Sequence, residues 1–292
     1  MKLLSYGLDQ SMEPRLAFSL GGFAVDVMRA SLWMKENRNT PSYLTLASSM
    51  TLVLQDWNRS FPLLKNLAEA IQGHELANLS VYGRAVALLE SDIVYFAPVP
   101  APPSLRYFTA FEAGKTFAFG NTQTLLGHNQ TLIHTGLSTQ GEIAAIVAGT
   151  GTNLEIAGYC IVNNWRDTRV SPDEGLAHGL ATSLGPYLIT ADELESHQLG
   201  KSLGLDMQIR LNGRIISESR FKTMLVSFPE LIHQAAPTNI QPGDIFCSGS
   251  PQDPGKYEPG NPGDLIEIEI QVLGTLSTTI AQQTDDTVSA YQ

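Results

Sequence analysis

The feature that most constrains the fold is a pair of segments, residues 137–149 and 158–169, in each of which an apolar run is bordered by side-chain oxygens. The first run begins with Gln140 and Glu142, which are two residues apart, so on a strand both side chains leave the same face. The second run ends in two asparagines, of which Asn164 is the second. Strand ends that present oxygen ligands to one cavity are one way to build a Mg²⁺ or Ca²⁺ site. The sequence therefore predicts a polar site on neighbouring strands, in which two of the three candidate ligands are amides.

Composition excludes several classes of partner. The 292 residues are 43% hydrophobic and 16% charged, with a formal net charge of −11. No basic stripe is present to neutralise phosphates, so neither a nucleic acid nor an anionic membrane surface is an expected partner. No apolar run approaches the roughly 20 residues of a spanning helix. The first ten residues lack the apolar region of a signal peptide, and a cytoplasmic protein is expected. Cys160 and Cys247 are expected to be buried, reduced thiols.

The chain is expected to divide at a cluster of prolines. Apolar alternation broken by paired glycines predicts a small antiparallel sheet within residues 1–35, and the spacing from residue 27 to residue 71 is mostly helical. Four prolines within residues 98–103 exclude a helix or a central strand and predict a stiff connector. We therefore expect a small N-terminal domain over 1–97 and a β-dominated domain over 98–292.

Short apolar runs alternate with turn residues beyond the connector. The predicted strands are 143–147, 159–162, 207–211, 245–247 and 265–272, with helices limited to 192–198 and 222–235. Two Pro-Gly-Asp sequences, at 242–244 and 262–264, are typical of type II turns that lead into strands. The Ser-Gly-Ser sequence at 248–250 is of a type that binds carboxylates through backbone N–H groups.

A series of short motifs runs through the same part of the chain. They lie at 98–106, 110–112, 141–147, 158–159, 163–165, 181–186, 211–213, 224, 227–230, 242–245 and 248–249. In this order they resemble the motifs of the fumarylacetoacetate hydrolase superfamily. The resemblance implies an α+β, β-dominated fold with a mixed β-roll C-terminal domain, a small α/β N-terminal domain, and a homodimer. It also implies Mg²⁺, Mn²⁺ or Ca²⁺, and hydrolysis, decarboxylation, hydration or isomerisation of oxo acids or 1,3-diketones.

The charged groups of the family pattern are replaced in this chain. Gln140, Glu142 and Asn164 stand where the family has three metal-binding carboxylates. Gly114 stands where hydrolytic members have the histidine of an acid–base dyad, and His178 where a lysine is usual. Alignment after Trp165 leaves open whether Arg166 or Thr168 holds the family's arginine position.

These replacements predict a site without a resident metal. Amides lower the charge of the ligand set, and the affinity for a divalent ion depends largely on that charge. The alternative is a weakened Mg²⁺, Mn²⁺ or Ca²⁺ site at Gln140, Glu142 and Asn164. Without the ion and the histidine, the polarised carbonyl and the water-activating base are missing, so ordinary fumarylacetoacetate-type hydrolysis is not expected.

The remaining groups predict acid–base chemistry on a neutral or enolic oxo compound. Glu142, a lone carboxylate in a partly apolar pocket, and His178 are the candidate catalytic residues, because desolvation raises the pKa of such a carboxyl. His128 and His134 are expected to border the pocket. The candidate substrate-binding residues are Gln140, Asn164, Arg166, Arg169, Ser248, Gly249 and Ser250.

Three functions remain open at this point. The first is a metal-independent isomerase, cyclase or C–C bond enzyme that acts on an oxo acid, a 1,3-diketone or a related polyketone. The second is a conventional metal-dependent C–C hydrolase or decarboxylase. The third is an inactive homologue that serves as a binding or scaffold protein.

Overall fold

The structure, a computed structural model, describes residues 1–38, 46–112, 117–134, 136–151, 153–167, 180–251 and 260–282. The N-terminal part contains three helices and seven strands in the described ranges. They are β1 (Lys2–Gly7), β2 (Arg15–Leu20), β3 (Phe23–Asp26), α1 (Val27–Arg38), α2 (Met50–Gln55), α3 (Trp57–Ile71), β4 (Ser80–Val81), β5 (Arg84–Ala85), β6 (Ala87–Leu89) and β7 (Val94–Tyr95). Within these ranges no helix has the length and apolar character that a bilayer crossing requires.

Strands dominate the rest of the described chain. They are β8 (Leu105–Tyr107), β9 (Ala118–Phe119), β10 (Leu125–Leu126), β11 (Gln130–Leu132), β12 (Gly141–Thr150), β13 (Asn153–Trp165), β14 (Ala181–Thr190), β15 (Gln198–Leu199), β16 (Ser202–Leu203), β17 (Asp206–Leu211), β18 (Arg214–Arg220), β19 (Ile245–Cys247), β20 (Leu265–Ile270) and β21 (Gly274–Ile280). The helix here is α4 (Phe228–Ala235). Short 3-10 helices lie at Leu76–Asn78, Glu90–Asp92, Ala191–His197, Phe221–Thr223 and Ala236–Thr238.

The predicted strands and turns are confirmed in position. The predicted strands 143–147, 159–162, 207–211 and 245–247 lie within β12, β13, β17 and β19, and 265–272 overlaps β20, which ends at Ile270. Gly243 and Gly263 have φ of +93° and +88°, as the third position of a type II turn requires. Both cysteines are free and buried.

The two predicted C-terminal helices differ in detail from the expectation. The segment predicted at 192–198 is a 3-10 helix, Ala191–His197. The segment predicted at 222–235 is divided, and α4 begins only at Phe228. The Ser227 hydroxyl accepts from the Glu230 N–H while the Glu230 carboxylate accepts from the Ser227 N–H, and Pro229 stands in the first turn. This capping box fixes the start of the helix.

One large mixed sheet forms the centre of the molecule. Its strand order is β6-β3-β2-β1-β14-β13-β12-β19-β8-β9, with β10 added on β14 and β7 on β1. A second sheet has the order β11-β21-β20-β17-β18. Because β1 pairs antiparallel with both β2 and β14, strands from residues 1–97 continue the sheet of the C-terminal part. The division into two domains stays a prediction.

The middle parts of strands β12 and β13 are apolar because both of their faces are covered. Ala144, Ile146 and Ala148 face a core shared with α1, α2 and α3. Ile143, Ala145 and Val147 face a core shared with the second sheet. A strand buried on both faces has a continuous apolar run and lacks the alternation of a surface strand. The start of β12 and the end of β13 depart from this apolar pattern because they carry polar side chains.

The central sheet is strongly curled at this point. Tyr107 of β8 hydrogen-bonds through its hydroxyl to that of Thr182 of β14. The two strands are four positions apart in the sheet, which in a flat sheet is about 19 Å, far beyond the reach of a tyrosine side chain. The strands between them therefore form a concave wall.

Candidate active site

The predicted polar residues are brought together on this concave face. The Asn164 N–H donates to the Gln140 carbonyl at 3.0 Å, so the two residues are cross-strand neighbours. Glu142, two residues further along, shares their face. Asn163 points to the opposite side, where its Oδ1 accepts from the Thr139 hydroxyl at 2.7 Å and from the Gln140 N–H at 3.1 Å. These bonds fix the backbone that carries Gln140.

Glu142 is a buried carboxylate with two hydrogen-bond donors. Its side chain is 1% exposed, Oε1 accepts from Asn164 Nδ2 at 2.9 Å, and Oε2 accepts from the Gly249 N–H at 3.0 Å. Burial raises the pKa of Glu142 to about 7, against the lowering by these two bonds and by the charge of Arg166. Desolvation therefore outweighs hydrogen bonding, and the group exchanges its proton near neutral pH.

Arg166 supplies the positive charge of the site. It follows β13 directly, and a backbone bridge to Ser138 holds it, with the Ser138 N–H donating to the Arg166 carbonyl at 2.8 Å. Burial lowers the pKa of Arg166, while Glu142 and Tyr107 raise it. Arg166 and Gln140 are half-buried, whereas Glu142 and Asn164 are buried. The arginine therefore lies toward the solvent side of the carboxylate.

The Ser-Gly-Ser corner binds a carboxylate, but that carboxylate is Glu142. The Gly249 N–H is used by Glu142, and the Ser248 hydroxyl donates to the Gly249 carbonyl at 2.6 Å. Ser248 Oγ also accepts from the Ile143 N–H at 3.3 Å. Ser248 thus joins the corner to β12 and supports the carboxylate. Ser250 is half-buried beside it, and its role in substrate binding stays a prediction.

The other predicted residues lie elsewhere or outside the described ranges. His178, Arg169 and Gly114 fall in segments that the structure does not describe. His134 is exposed. His128 packs edge-on against Tyr95, its Nδ1 accepts from the Ser277 N–H, and burial lowers its pKa to about 4. A histidine that is neutral and already engaged is a packing residue.

One buried acceptor of the site lacks a partner in the described part of the chain. Asn164 is 2% exposed, and its Nδ2 donates to Glu142, but its Oδ1 accepts no hydrogen bond from any described residue. An unsatisfied buried acceptor is unfavourable by about 1–3 kcal/mol. The site is therefore ready to receive a hydrogen-bond donor.

The described residues fit a divalent ion poorly. No group of three or more His, Cys, Asp or Glu side chains with suitable spacing occurs among them. Among the described residues, Glu142 is the carboxylate that Asn164 contacts, and the positive charge of Arg166 acts on it. A divalent ion would leave a net charge of about +2 in a buried place, which is unfavourable without paired anions. Among the described residues, the buried oxygen Asn164 Oδ1 has no hydrogen-bond partner and is of the type that ligates such an ion.

Tyr107 and Thr182 are members of the site that the sequence patterns did not indicate. Burial raises the pKa of Tyr107 well above its ordinary value, and the charge of Glu142 raises it further. Strand alternation was the available signal, since it places Leu105 and Tyr107 on one face. It could not reveal that the sheet curls and brings that face over Thr182.

Known proteins place this geometry in context. The sequence profile described as "Fumarylacetoacetate (FAA) hydrolase C-terminal" matches residues 108–281. A maleylpyruvate hydrolase from Aquipseudomonas alcaligenes is 31% identical over 154 residues, which cover 48% of this chain and 49% of that protein. The chain thus spans about half the length of that relative.

Solved structures show the same fold over nearly the whole chain. One is maleylpyruvate hydrolase from Sphingobium sp. SYK-6 in complex with manganese(II) ion and pyruvate, with a TM-score of 0.70 and 18% identity, covering 97% of this chain and 100% of that one. Another is 2-keto-3-deoxy-D-arabinonate dehydratase with magnesium and 2,5-dioxopentanoate, with a TM-score of 0.61 and 17% identity, covering 98% and 100%.

The profile match covers more than half of the chain. The chain belongs to the fumarylacetoacetate hydrolase family and has its β-dominated fold.

Proposed function

We propose that the protein is an enzyme that acts on a small oxo acid, 1,3-diketone or related polyketone by metal-independent acid–base chemistry. The observation that carries the proposal is Glu142, a lone, buried carboxylate whose pKa is raised to about 7. A group that exchanges its proton near the working pH is suited to general base catalysis. The relatives named as maleylpyruvate hydrolase and 2-keto-3-deoxy-D-arabinonate dehydratase support an oxo-acid substrate.

The mechanism follows from the groups on the concave face. Ionised Glu142 accepts a proton from the carbon beside a substrate carbonyl through its remaining lone pairs. The C–H electron pair forms a carbon–carbon double bond, and the carbonyl π pair moves onto oxygen. The Gln140 amide donates to a substrate carbonyl oxygen, Asn164 Oδ1 accepts from a substrate enol hydroxyl, and Arg166 holds a substrate carboxylate. The participation of His178 or Arg169 in the site stays a prediction.

The pH profile is expected to report Glu142. The base is active when ionised, so kcat/KM should be level above pH 7 and fall about tenfold per pH unit below it. The measurement is kcat/KM from pH 5 to 9 on a substrate found in a panel of acylpyruvates, maleylpyruvate, oxaloacetate and 1,3-diketones. A profile that is flat between pH 5 and 7 would contradict the proposed base.

Metal removal separates this proposal from a conventional metal-dependent hydrolase or decarboxylase. That second function is favoured by the free Asn164 Oδ1 and by the metals in the related structures. We expect less than stoichiometric Mg, Mn and Ca by elemental analysis of the purified protein, and unchanged turnover in EDTA. Stoichiometric metal, or loss of turnover in EDTA that Mn²⁺ restores, would establish the second function instead.

The same panel tests the inactive alternative, and a separate measurement tests the assembly. An inactive homologue predicts ligand binding without turnover on every compound. We also propose a homodimer, which the family resemblance implies, and no nucleic-acid or membrane partner, which the net charge of −11 supports. Sedimentation of the purified protein measures the assembly directly.

A further inference from the structure

One oxygen of the site is unused on the side that faces away from Glu142. Asn164 is 2% exposed, and its Nδ2 donates to Glu142 Oε1 at 2.9 Å. Its Oδ1 accepts no hydrogen bond from any residue in the described ranges. The two polar atoms of a planar amide point in different directions, so Oδ1 does not face the carboxylate. A buried acceptor therefore lies on the concave face beside the proposed base.

The neighbours of Asn164 fix the direction of this acceptor. An ionised carboxylate only accepts hydrogen bonds, so the NH₂ end of the Asn164 amide has to face Glu142. Glu142 is held in turn by the Gly249 N–H, which donates to Oε2 at 3.0 Å. The backbone of Asn164 is held as well, because its N–H donates to the Gln140 carbonyl at 3.0 Å. The position of Oδ1 is thus set before a ligand binds.

A fixed acceptor distinguishes ligands by the hydrogens that they bring. The hydroxyl of an alcohol or an enol has an O–H that satisfies Asn164 Oδ1, whereas a carbonyl oxygen has only lone pairs and meets another oxygen there. Solvent does not supply the missing donor, because Oδ1 is buried. Leaving a buried polar group unpaired in a complex lowers affinity roughly 5- to 150-fold. The site is therefore better matched to a hydroxyl group than to an oxo group at this position.

We propose that Asn164 is a specificity-determining residue, whose Oδ1 selects ligands that bear a hydroxyl group over the matching oxo compounds. The inference rests on the proposed function and narrows its substrate class to compounds that present a hydroxyl hydrogen to Asn164, as an alcohol or as an enol. No covalent bond changes in this recognition step. A divalent ion at the same place would instead bind the lone pairs of an oxo oxygen, so the two arrangements select opposite ligands.

The test compares two five-carbon acids that differ at carbon 2. They are 2-hydroxypentanoate, as each enantiomer, and 2-oxopentanoate, and calorimetry with the full-length protein measures their dissociation constants. We expect one enantiomer of the hydroxy acid to bind roughly 10- to 100-fold more tightly than the oxo acid. Both acids have the same carboxylate and chain, so any contribution of Arg166 cancels in the ratio. The ratio should be the same for the protein as purified and in EDTA.

A third acid, 2,4-dioxopentanoate, separates the two sources of the hydroxyl group. Its enol absorbs in the near ultraviolet and its keto form does not, so difference absorbance directly after mixing shows which form the protein holds. An increase in enol absorbance would support the proposal with the enol as the ligand. Tighter binding of 2-hydroxypentanoate without that increase would support it with the alcohol as the ligand.

Two variants test the amide itself. Glu142→Gln presents an NH₂ group to Asn164, whose amide then turns so that Oδ1 accepts from it and Nδ2 faces the ligand. We expect the preference to be reversed in this variant, with 2-oxopentanoate binding more tightly than the hydroxy acid. Asn164→Leu removes both amide atoms and should bind the two acids equally. Asn37→Leu changes an exposed asparagine of α1 and should keep the wild-type ratio. Thermal unfolding measures whether each variant is folded.

The failure of this inference is distinguishable from the failure of the proposed function. Equal binding of the two acids by the wild type, together with turnover on the panel, would overturn the role of Asn164 and leave the proposed function intact. An unchanged preference in a folded Glu142→Gln would also overturn that role. Tighter binding of the oxo acid that disappears in EDTA would overturn it in favour of a metal ligand. A hydroxyl preference without turnover of any compound would support this inference and overturn the proposed function.

Discussion

Glu142→Gln is expected to lower kcat by about 10³-fold or more while leaving the protein folded. General base catalysis contributes roughly 10²–10⁴-fold, and Glu142 is the group that provides it here. The amide has nearly the shape of the carboxylate. Asn164 Oδ1 lacks a partner in the described structure, so the Asn164 amide can turn to accept from the new amide. The measurement is kcat on the panel substrate beside the rate of deuterium exchange into the methyl group of pyruvate in D₂O, followed by NMR.

The same variant should be more stable than the wild type at alkaline pH. Burial raises the pKa of Glu142 from 4.5 to about 7, so the protonated form favours the folded state. That stability is fully present below pH 4.5 and is lost as the pH rises to about 7. The pKa shift corresponds to about 3 kcal/mol of folding stability. The wild type loses this stability over that pH range, whereas the variant has no carboxyl group there and does not.

Urea unfolding at pH 5 and pH 8 separates these effects. The free energy of unfolding of Glu142→Gln minus that of the wild type should increase from pH 5 to pH 8. If the variant has no activity and is also less stable at pH 8, the carboxylate is structural and the proposed base is wrong. If turnover persists, another group carries the proton.

Arg106→Met is expected to destabilise the protein by about 3–5 kcal/mol, the second large effect. Arg106 is 1% exposed, and its Nη2 lies 3.0 Å from Asp244 Oδ2. Its guanidinium lies 5.0–5.9 Å from the ring centroids of Phe117, Phe119 and Phe246. Removing the cation leaves the Asp244 carboxylate buried, and its neutral donors among the described residues are the Ser104 hydroxyl and the Gln241 N–H.

The control is Arg220→Met at an exposed pair. Arg220 Nε lies 2.9 Å from Asp206 Oδ1, and the two side chains are 61% and 62% exposed. Solvent-exposed pairs contribute roughly 0–1 kcal/mol, so this change should be small. Adding Asp244→Asn to Arg106→Met should recover part of the loss, because the uncompensated charge disappears. Equal effects of the two arginine changes on the free energy of unfolding would contradict the buried-pair argument.

The sequence by itself determined the local elements and the centre of the site. The apolar run of β12 with its polar start placed Gln140 and Glu142 on one face, because the side-chain period of a strand is two and does not depend on distant contacts. The register of β12 with β13 adds Asn164 to that face. The Pro-Gly-Asp turns were equally predictable, since Gly243 and Gly263 alone there adopt positive φ without strain. The motif order indicated the family.

Only the tertiary structure decided which distant groups complete the site. The Gly249 N–H meets Glu142 from 107 residues away, and Tyr107 meets Thr182 across four strand spacings. Both contacts depend on how far the central sheet curls and on the pairing of β19 between β12 and β8. Those properties arise from the packing of α1–α3 and of the second sheet on its two faces. The curvature of the sheet and the burial of a side chain depend on the whole fold. No local sequence pattern therefore predicts the raised pKa of Glu142 or the position of Tyr107.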